Sequence, residues 1–185
     1  MLRPAYPITT PRLVLRPFEP TDLDALHKIQ SRQDVMTYLY DEPRTLAESR
    51  ETLARYMATT TLEQEGDALR LAVTVDGTAI GHVMLMWISA AHRGGEVGFV
   101  LHPDHHGRGY ATEAAREMLR LGFEGLGLHR IIGRLDDANL ASGRVLAKLG
   151  MRKEAHFRKN EFVKGRWADE AVYAMLADEW RARSA

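Results

Sequence analysis

The sequence has no cysteine, which removes disulfides, thiolate zinc sites and a thiol nucleophile together and suits a reducing cytoplasm. It has no excess of either charge: 25 lysines and arginines balance 25 aspartates and glutamates. No overall field therefore favours nucleic acid or an anionic membrane, and any anion must be caught locally. Long apolar runs are also missing. The longest, AIGHVMLMWISAA, is interrupted and too short to span a bilayer, and the N-terminus lacks the apolar segment of a secretory signal. There is no internal repeat and no low-complexity tract. The expectation is a cytoplasmic protein with neither nucleic-acid nor membrane partner.

What is present fits one globular domain: 185 residues, 45% hydrophobic and 27% charged. Only the opening MLRPAYPITTP looks loose. TPRLVLRPF alternates as a first strand, with Leu13 and Leu15 on one side and Val14 on the other. A helix follows, capped by Thr21, with Leu23, Leu26 and Ile29 at helical spacing. Thr45 and Glu48 form a capping-box pattern for a second helix with Leu46, Leu53, Tyr56 and Met57 as its apolar stripe, ending near Gly66. Asp76-Gly77 divides two β-rich runs and predicts a tight hairpin. GGEVGFVLH is a further strand, with Glu96, Gly98 and Val100 on one face and Val97, Phe99 and Leu101 on the other; Pro103 terminates it.

From Ala111, the residues Ala114, Ala115, Met118, Leu119 and Phe123 give an amphipathic helix, and LHRIIGRLD a buried strand. That strand-helix-strand order implies a right-handed crossover between two parallel strands. Asn139 begins another helix, which Gly150 closes in a left-handed cap. MRKEAHFRK and EAVYAML supply the last two strands of an α/β mixed sheet with helices on its faces.

Between strand and helix lies HPDHHGRGYATEA, residues 102 to 114. Gly107 and Gly109 let the main chain approach an anion at a helix N-terminus, and Arg108 adds charge for a second phosphate group. The same glycines serve equally well as a plain tight turn. A Walker loop needs GxxxxGK, which is absent, and a dinucleotide fingerprint needs a third glycine where Thr112 stands, with an acid earlier than Asp136. His102, His105 and His106 invite a zinc reading, but Pro103 and Gly107 keep them off one helix and no carboxylate completes a known spacing, so no metal is expected.

VLHPDHHGRGYATEA followed by DDANLASGRVLAKLGMR resembles the cofactor-binding core of the GNAT acetyltransferases, and TPRLVLRPFEPTDLDAL with EVGFVL resembles the RimJ/RimL-type branch more narrowly. The likeness runs from about residue 9 to residue 180. It implies a GNAT-like fold whose two central parallel strands splay, and acetyl-coenzyme A (acetyl-CoA) as cosubstrate. Phe99, Val100 and Leu101 would line its pantetheine arm through main-chain hydrogen bonds. The N–H groups of Gly107, Arg108, Gly109, Tyr110, Ala111 and Thr112 would hold the pyrophosphate, and Asn139 would contact the cofactor from the next helix. The chain departs from the family at His106, where Gln or Arg is usual.

Acetyl transfer to an amine needs a base, an oxyanion donor and a proton for the leaving thiolate. Glu96 is the candidate base, directly or through water; its plainer reading is a solvated strand carboxylate. Ser142 is the candidate thiolate proton donor, as the N-x-x-S pattern of related enzymes implies, and is otherwise an ordinary first-turn serine. The main-chain N–H at Leu101 or nearby is the natural oxyanion donor. Tyr173 is expected to be a core aromatic rather than an acid. The cluster Arg152, Lys153, Arg158, Lys159, Lys164 and Arg166 is expected to be a solvated strand surface.

The expected reaction is direct transfer to an amine, either a protein N-terminal α-amine or a small molecule, chosen by residues 20 to 66 and the last hairpin. Asp34, Asp41 and Glu42 are available there to draw a cation. A non-catalytic acyl-CoA sensor and an NAD(P)-binding oxidoreductase are the alternatives. A homodimer is compatible with the general prevalence of dimers.

Overall fold

Alternation along the central strands sorts their side chains onto two faces of one sheet. The computed structural model describes residues 1–184, so that Ala185 lies outside it. In chain order come β1 (Ile8–Thr9), β2 (Val14–Arg16), α1 (Leu23–Gln30), α2 (Gln33–Met36), α3 (Leu46–Met57), β3 (Ala68–Val75) and β4 (Thr78–Ser89). They are followed by β5 (Gly94–Leu101), α4 (Tyr110–Arg120), β6 (Arg130–Asp136), α5 (Leu140–Leu149), β7 (Arg152–Val163), β8 (Arg166–Leu176) and α6 (Ala177–Ser184). The eight strands form one sheet in the order β1-β2-β3-β4-β5-β6-β8-β7. Every neighbouring pair is antiparallel except β5 and β6, the parallel pair joined through α4.

One face carries Leu69, Leu71 and Val73 of β3, Val83 and Leu85 of β4, and Val97 and Leu101 of β5. It packs on Ala114, Ala115, Met118 and Leu119 of α4, all buried, at about 2 kcal/mol for each large side chain taken out of water. The opposite face is mixed, carrying Arg70, Ala72, His82, Met84, Glu96 and Gly98. Ala72 and Ala79 meet Phe18, Leu26 of α1 and Leu53 of α3 in a second cluster. Room remains between the sheet and the α1–α3 layer.

The Asp76-Gly77 turn forms as expected, both residues at positive φ (48° and 78°). Gly150 caps α5 at φ 92°. Thr45 and Glu48 make the capping box of α3: Thr45 N–H donates to Glu48 Oε2 at 2.7 Å, and Glu48 N–H to Thr45 Oγ1 at 3.3 Å.

Four expectations need correction. Thr21 does not cap the first helix; Pro20–Asp22 forms a short turn ahead of it, and the Asp22 carboxylate closes that turn by accepting Glu19 N–H at 2.8 Å. α3 ends at Met57, and its buried stripe is Ser49, Thr52 and Leu53, while Leu46 and Met57 are exposed. The helix after the glycine loop begins at Tyr110, one residue early. The opening segment is not loose: Leu2 exchanges two main-chain hydrogen bonds with Leu62 at 2.7 and 3.0 Å, and Tyr6 donates to the Thr60 carbonyl at 2.6 Å.

β5 and β6 pair over Gly94↔Arg130, Gly95↔Ile131 and Glu96↔Ile132, and no further. From Val97 onward β5 stays on β4, and from Gly133 onward β6 stays on β8, so the sheet opens between them. This is the splay that the resemblance implies.

Candidate active site

The gap exposes selected main-chain groups. His102 N–H donates to Ile80 C=O at 2.8 Å, which makes Gly81↔Leu101 a pair without mutual hydrogen bonds. The N–H and C=O of Leu101, and by alternation those of Phe99, therefore point away from β4 and into the gap. Val100 is the opposite case: its main chain is committed to β4, so of the three residues expected to offer main-chain bonds it offers its side chain instead. Gly81 has to lack a side chain, because a Cβ there would lie 2.2 Å from the Val100 carbonyl oxygen.

At the end of β5 the chain turns through two left-handed glycines, Gly107 at φ 74° and Gly109 at φ 82°. Gly109 is the N-cap of α4 and, being glycine, supplies no side-chain acceptor, so the first N–H groups of a helix open onto a cavity of about 600 Å³. Phe99, Val100, Leu101, Gly107, Gly109, Tyr110, Ala111, Thr112, Asn139 and Ser142 all line it. Arg108 does not: it is exposed on the outside of the loop, and its carbonyl accepts from Arg12 Nη1 at 2.7 Å. The cations that do line this cavity are Arg144 and Lys148, one turn apart on α5. Sequence reasoning missed both, although their i, i+4 spacing beyond Asn139 could have marked them.

The loop is anchored from the turn between β1 and β2 by a network that sequence reasoning also missed. Glu113, in the first turn of α4, accepts Thr10 Oγ1 at 2.6 Å, Arg12 N–H at 2.9 Å and Arg12 Nε at 2.7 Å. The Arg12 guanidinium also lies 5.0 Å from the Tyr110 ring centre. Burial alone would raise the Glu113 carboxyl, but the bonds from Thr10 and Arg12 outweigh it and hold the group below its ordinary value. The three histidines serve the loop separately. His106 Nε2 meets the Leu101 carbonyl at 3.0 Å, His102 Nδ1 accepts Asp104 N–H at 3.3 Å, and His105 turns into the cavity. Among the described residues no three His, Asp or Glu converge as a metal site.

A second cavity, of about 360 Å³, lies on the mixed face between the sheet and residues 29 to 44. It shares Phe99, Val100, Asn139 and Ser142 with the first, so the two meet at the splay. Glu96 lines this second cavity alone. Burial pushes its carboxyl above the ordinary glutamate value; Arg134 opposes that shift and Glu170 adds to it. Arg134 is itself engaged, donating from Nε to the buried Glu170 at 2.5 Å. Ser142 N–H donates to Asn139 Oδ1 at 3.1 Å, which fixes the first turn of α5 and leaves the serine hydroxyl at the junction. Tyr173 packs on the main core and lines neither cavity.

The last hairpin reaches this side. Tyr40 donates to Glu161 at 2.7 Å, and Lys164 Nζ to the Met36 carbonyl at 2.6 Å. Asp34, Asp41 and Glu42 are not free to draw a ligand cation, since Arg32, Arg44 and Lys164 already face them at 2.8, 2.6 and 3.8 Å. In the basic cluster, Lys153 and Arg166 pair with Asp137 and Asp136 on the strand surface.

Residues 12–152 match the family described as Acetyltransferase (GNAT) domain. The chain belongs to the GNAT acetyltransferase family. It is 34% identical to the uncharacterized N-acetyltransferase YnaD of Bacillus subtilis, over 94% of this chain and 98% of that protein. It is also similar to the crystal structure of a GNAT-family acetyltransferase from Bacillus anthracis, with a TM-score of 0.83, 33% identity and coverage of 93% and 99% of the two chains. Another similar structure is the spermidine N-acetyltransferase of Vibrio cholerae in complex with CoA and spermine, with a TM-score of 0.77, 25% identity and coverage of 93% and 99%.

As a GNAT member the protein is an acetyl-CoA-dependent acyltransferase, and these matches favour transfer over a sensor or a dinucleotide oxidoreductase. The residues present fit that cosubstrate. Two glycines with positive φ, an uncapped helix N-terminus and two cations line a cavity that leads to free strand amides. No helix among the described residues is long and apolar enough to cross a membrane.

Proposed function

We propose that this protein moves an acetyl group from acetyl-CoA directly to an amine, with Glu96 as base and Ser142 as proton donor to the thiolate. The observation that carries this reading is the junction of the two cavities at Phe99, Val100, Asn139 and Ser142, with Glu96 on one side and the glycine loop on the other. Acetyl-CoA would supply a thioester carbonyl, activated by its sulfur leaving group. Gly107, Gly109 and the first amides of α4, from Tyr110 through Thr112, hold its diphosphate; Arg144 and Lys148 add positive charge, and the Phe99 and Leu101 main chains take the pantetheine arm as a strand would.

An ammonium has no lone pair, so Glu96 takes its proton directly or through one water, and a raised carboxyl value suits a base for that task. Whichever strand N–H, at Leu101 or nearby, the pantetheine arm leaves free donates to the developing oxyanion. Ser142 then protonates the departing sulfur and regains its proton from the nitrogen, which sheds it as the amide forms. With no cysteine to carry an acyl group, transfer is direct. The acceptor is a protein N-terminal α-amine, as the RimJ/RimL resemblance suggests, or a small amine, and the protein works in the cytoplasm as one domain.

The test is thiol release from acetyl-CoA across a library of amines and peptides, with calorimetry for cofactor binding. Turnover that falls about 10²-fold or more in Glu96→Gln, with acetyl-CoA affinity unchanged, supports the assignment. Unchanged turnover in both Glu96→Gln and Ser142→Ala removes these two roles, and absence of heat on mixing with acetyl-CoA removes the whole reading.

A further inference from the structure

Resting on the smaller cavity as the acceptor site, we propose that the amine acetylated here bears a carboxylate of its own, bound by Arg70 together with Arg44 and His82. The acceptor class is then a small amino carboxylate rather than a polyamine or a protein terminus.

The register places the relevant side chains on one face. Arg70↔Met84↔Gly98 forms a row across β3, β4 and β5; His82↔Val100 lies on one side of it and Met86↔Glu96 on the other. Arg70 and Glu96 are thus separated by two strand spacings and two residues, their Cα atoms on the order of 10 Å apart. Between them the floor is Met84 and the bare Gly98, where an added Cβ would stand 3.1 Å from Met84 Cε.

Arg70 is the unexplained charge of this cavity. It is half-buried, and its partners are soft: Met84 Sδ at 3.0 Å and the Tyr56 ring at 4.4 Å. No carboxylate among the described residues pairs with it, whereas Arg134, Arg44 and Asp136 are each in an ion pair. Burial lowers its pKa, as expected for a cation that lacks an anion. A guanidinium gains most from the planar, two-pronged acceptor that a carboxylate presents.

Three further polar atoms of residues lining this cavity lack partners among the described residues: His82 Nδ1, Arg44 Nε and Gln30 Oε1, the last an acceptor that suits the ammonium of the zwitterion rather than its carboxylate. His82 is only 7% exposed, and its Nδ1, like Arg44 Nε, is buried without a hydrogen bond, although both residues line the cavity. Buried polar groups are rarely left so, and a ligand oxygen would satisfy these two nitrogens. Burial, with Arg70 nearby, takes His82 down to about 3, so it is a neutral hydrogen-bonding group at neutral pH.

Charge and size select among acceptors. Among the described residues lining the cavity, Arg70 is a cation and Glu96 an anion without an ion pair, and they match the carboxylate and the ammonium of a zwitterion. A polyamine would set its second ammonium against Arg70. The volume of about 360 Å³ suits a small molecule.

The experiment measures thiol release by the full chain with the free proteinogenic amino acids, the same compounds as carboxamides, spermidine, and a C-terminally blocked tripeptide. An amino acid is expected to exceed its carboxamide by about 10- to 100-fold in kcat/KM. Arg70→Met should raise KM for that amino acid by a similar factor while the KM for acetyl-CoA stays put, and Arg70→Lys should recover part of the loss. Should Arg70→Met fail to melt cooperatively, Arg70→Lys and the carboxamide comparison decide alone. Equal or better use of a carboxamide, the tripeptide or spermidine overturns this inference and leaves acetyl transfer standing. Thiol release with none of these amines overturns both.

Discussion

Ser142 donates its main-chain N–H to Asn139 Oδ1 at 3.1 Å, and both side chains face both cavities. The capping bond and the serine hydroxyl can therefore be separated by mutation. Ser142→Ala keeps the capping bond and removes the hydroxyl. It is expected to lower kcat by about 10²-fold, with little change in melting temperature or in acetyl-CoA affinity. Asn139→Ala removes the cap and should destabilise the protein by about 1 kcal/mol. Steady-state kinetics and thermal denaturation on the pair distinguish the two.

Glu96→Gln should act in opposite directions on activity and stability. Turnover falls, and the acidic limb of the kcat profile, which in the parent enzyme lies above the ordinary glutamate value of 4.5, disappears. A carboxyl raised by folding binds its proton more tightly in the folded state than in the unfolded one. Stability therefore declines as pH rises from the unfolded value through the folded one. The glutamine variant lacks that decline, so it is expected to melt higher at neutral pH, by pH-resolved calorimetry.

Gly109→Ala tests the anion cradle. The position has φ 82°, and an added Cβ would stand 3.2 Å from Arg12 Nη2. The left-handed conformation costs a β-carbon residue roughly 1–2 kcal/mol. Titration calorimetry should register acetyl-CoA affinity falling by about tenfold, the equivalent of 1.4 kcal/mol.

Glu113→Gln should loosen the same loop from the other side. The Glu113 carboxyl lies below its ordinary value, so its contribution is complete above 4.5 and is lost as pH falls through the lowered folded value. The variant should show weaker acetyl-CoA binding at neutral pH and a flatter loss of stability on acidification, measured by denaturant melts across that range.

Most of the sheet was legible because period-two alternation survives wherever one face is buried, as in Val97, Phe99 and Leu101 against Glu96, Gly98 and Val100. The Asp76-Gly77 turn and the Asn139 and Gly150 caps are local chemistry and were equally readable. The stripe of α3 was not. Its buried positions are Ser49 and Thr52 as well as Leu53, since that helix packs on α1, where Ser49 Oγ meets His27 Nδ1 at 3.1 Å, and apolar periodicity does not see buried hydroxyls. Arg70 and His82 escaped for a related reason. Each sits in an apolar strand run, and only the register across β3, β4 and β5 brings them to the same face as Glu96. Arg108 was misplaced because a loop residue between two left-handed glycines has no periodicity from which to read its direction.

The parting of β5 from β6 leaves two raw strand rims inside the molecule, where proteins ordinarily blunt such rims with lysine, proline or a covering segment. On the function proposed above, the thioester nucleotide itself is the cover. On that reading, stores of the enzyme stripped of it should grow turbid sooner than loaded ones.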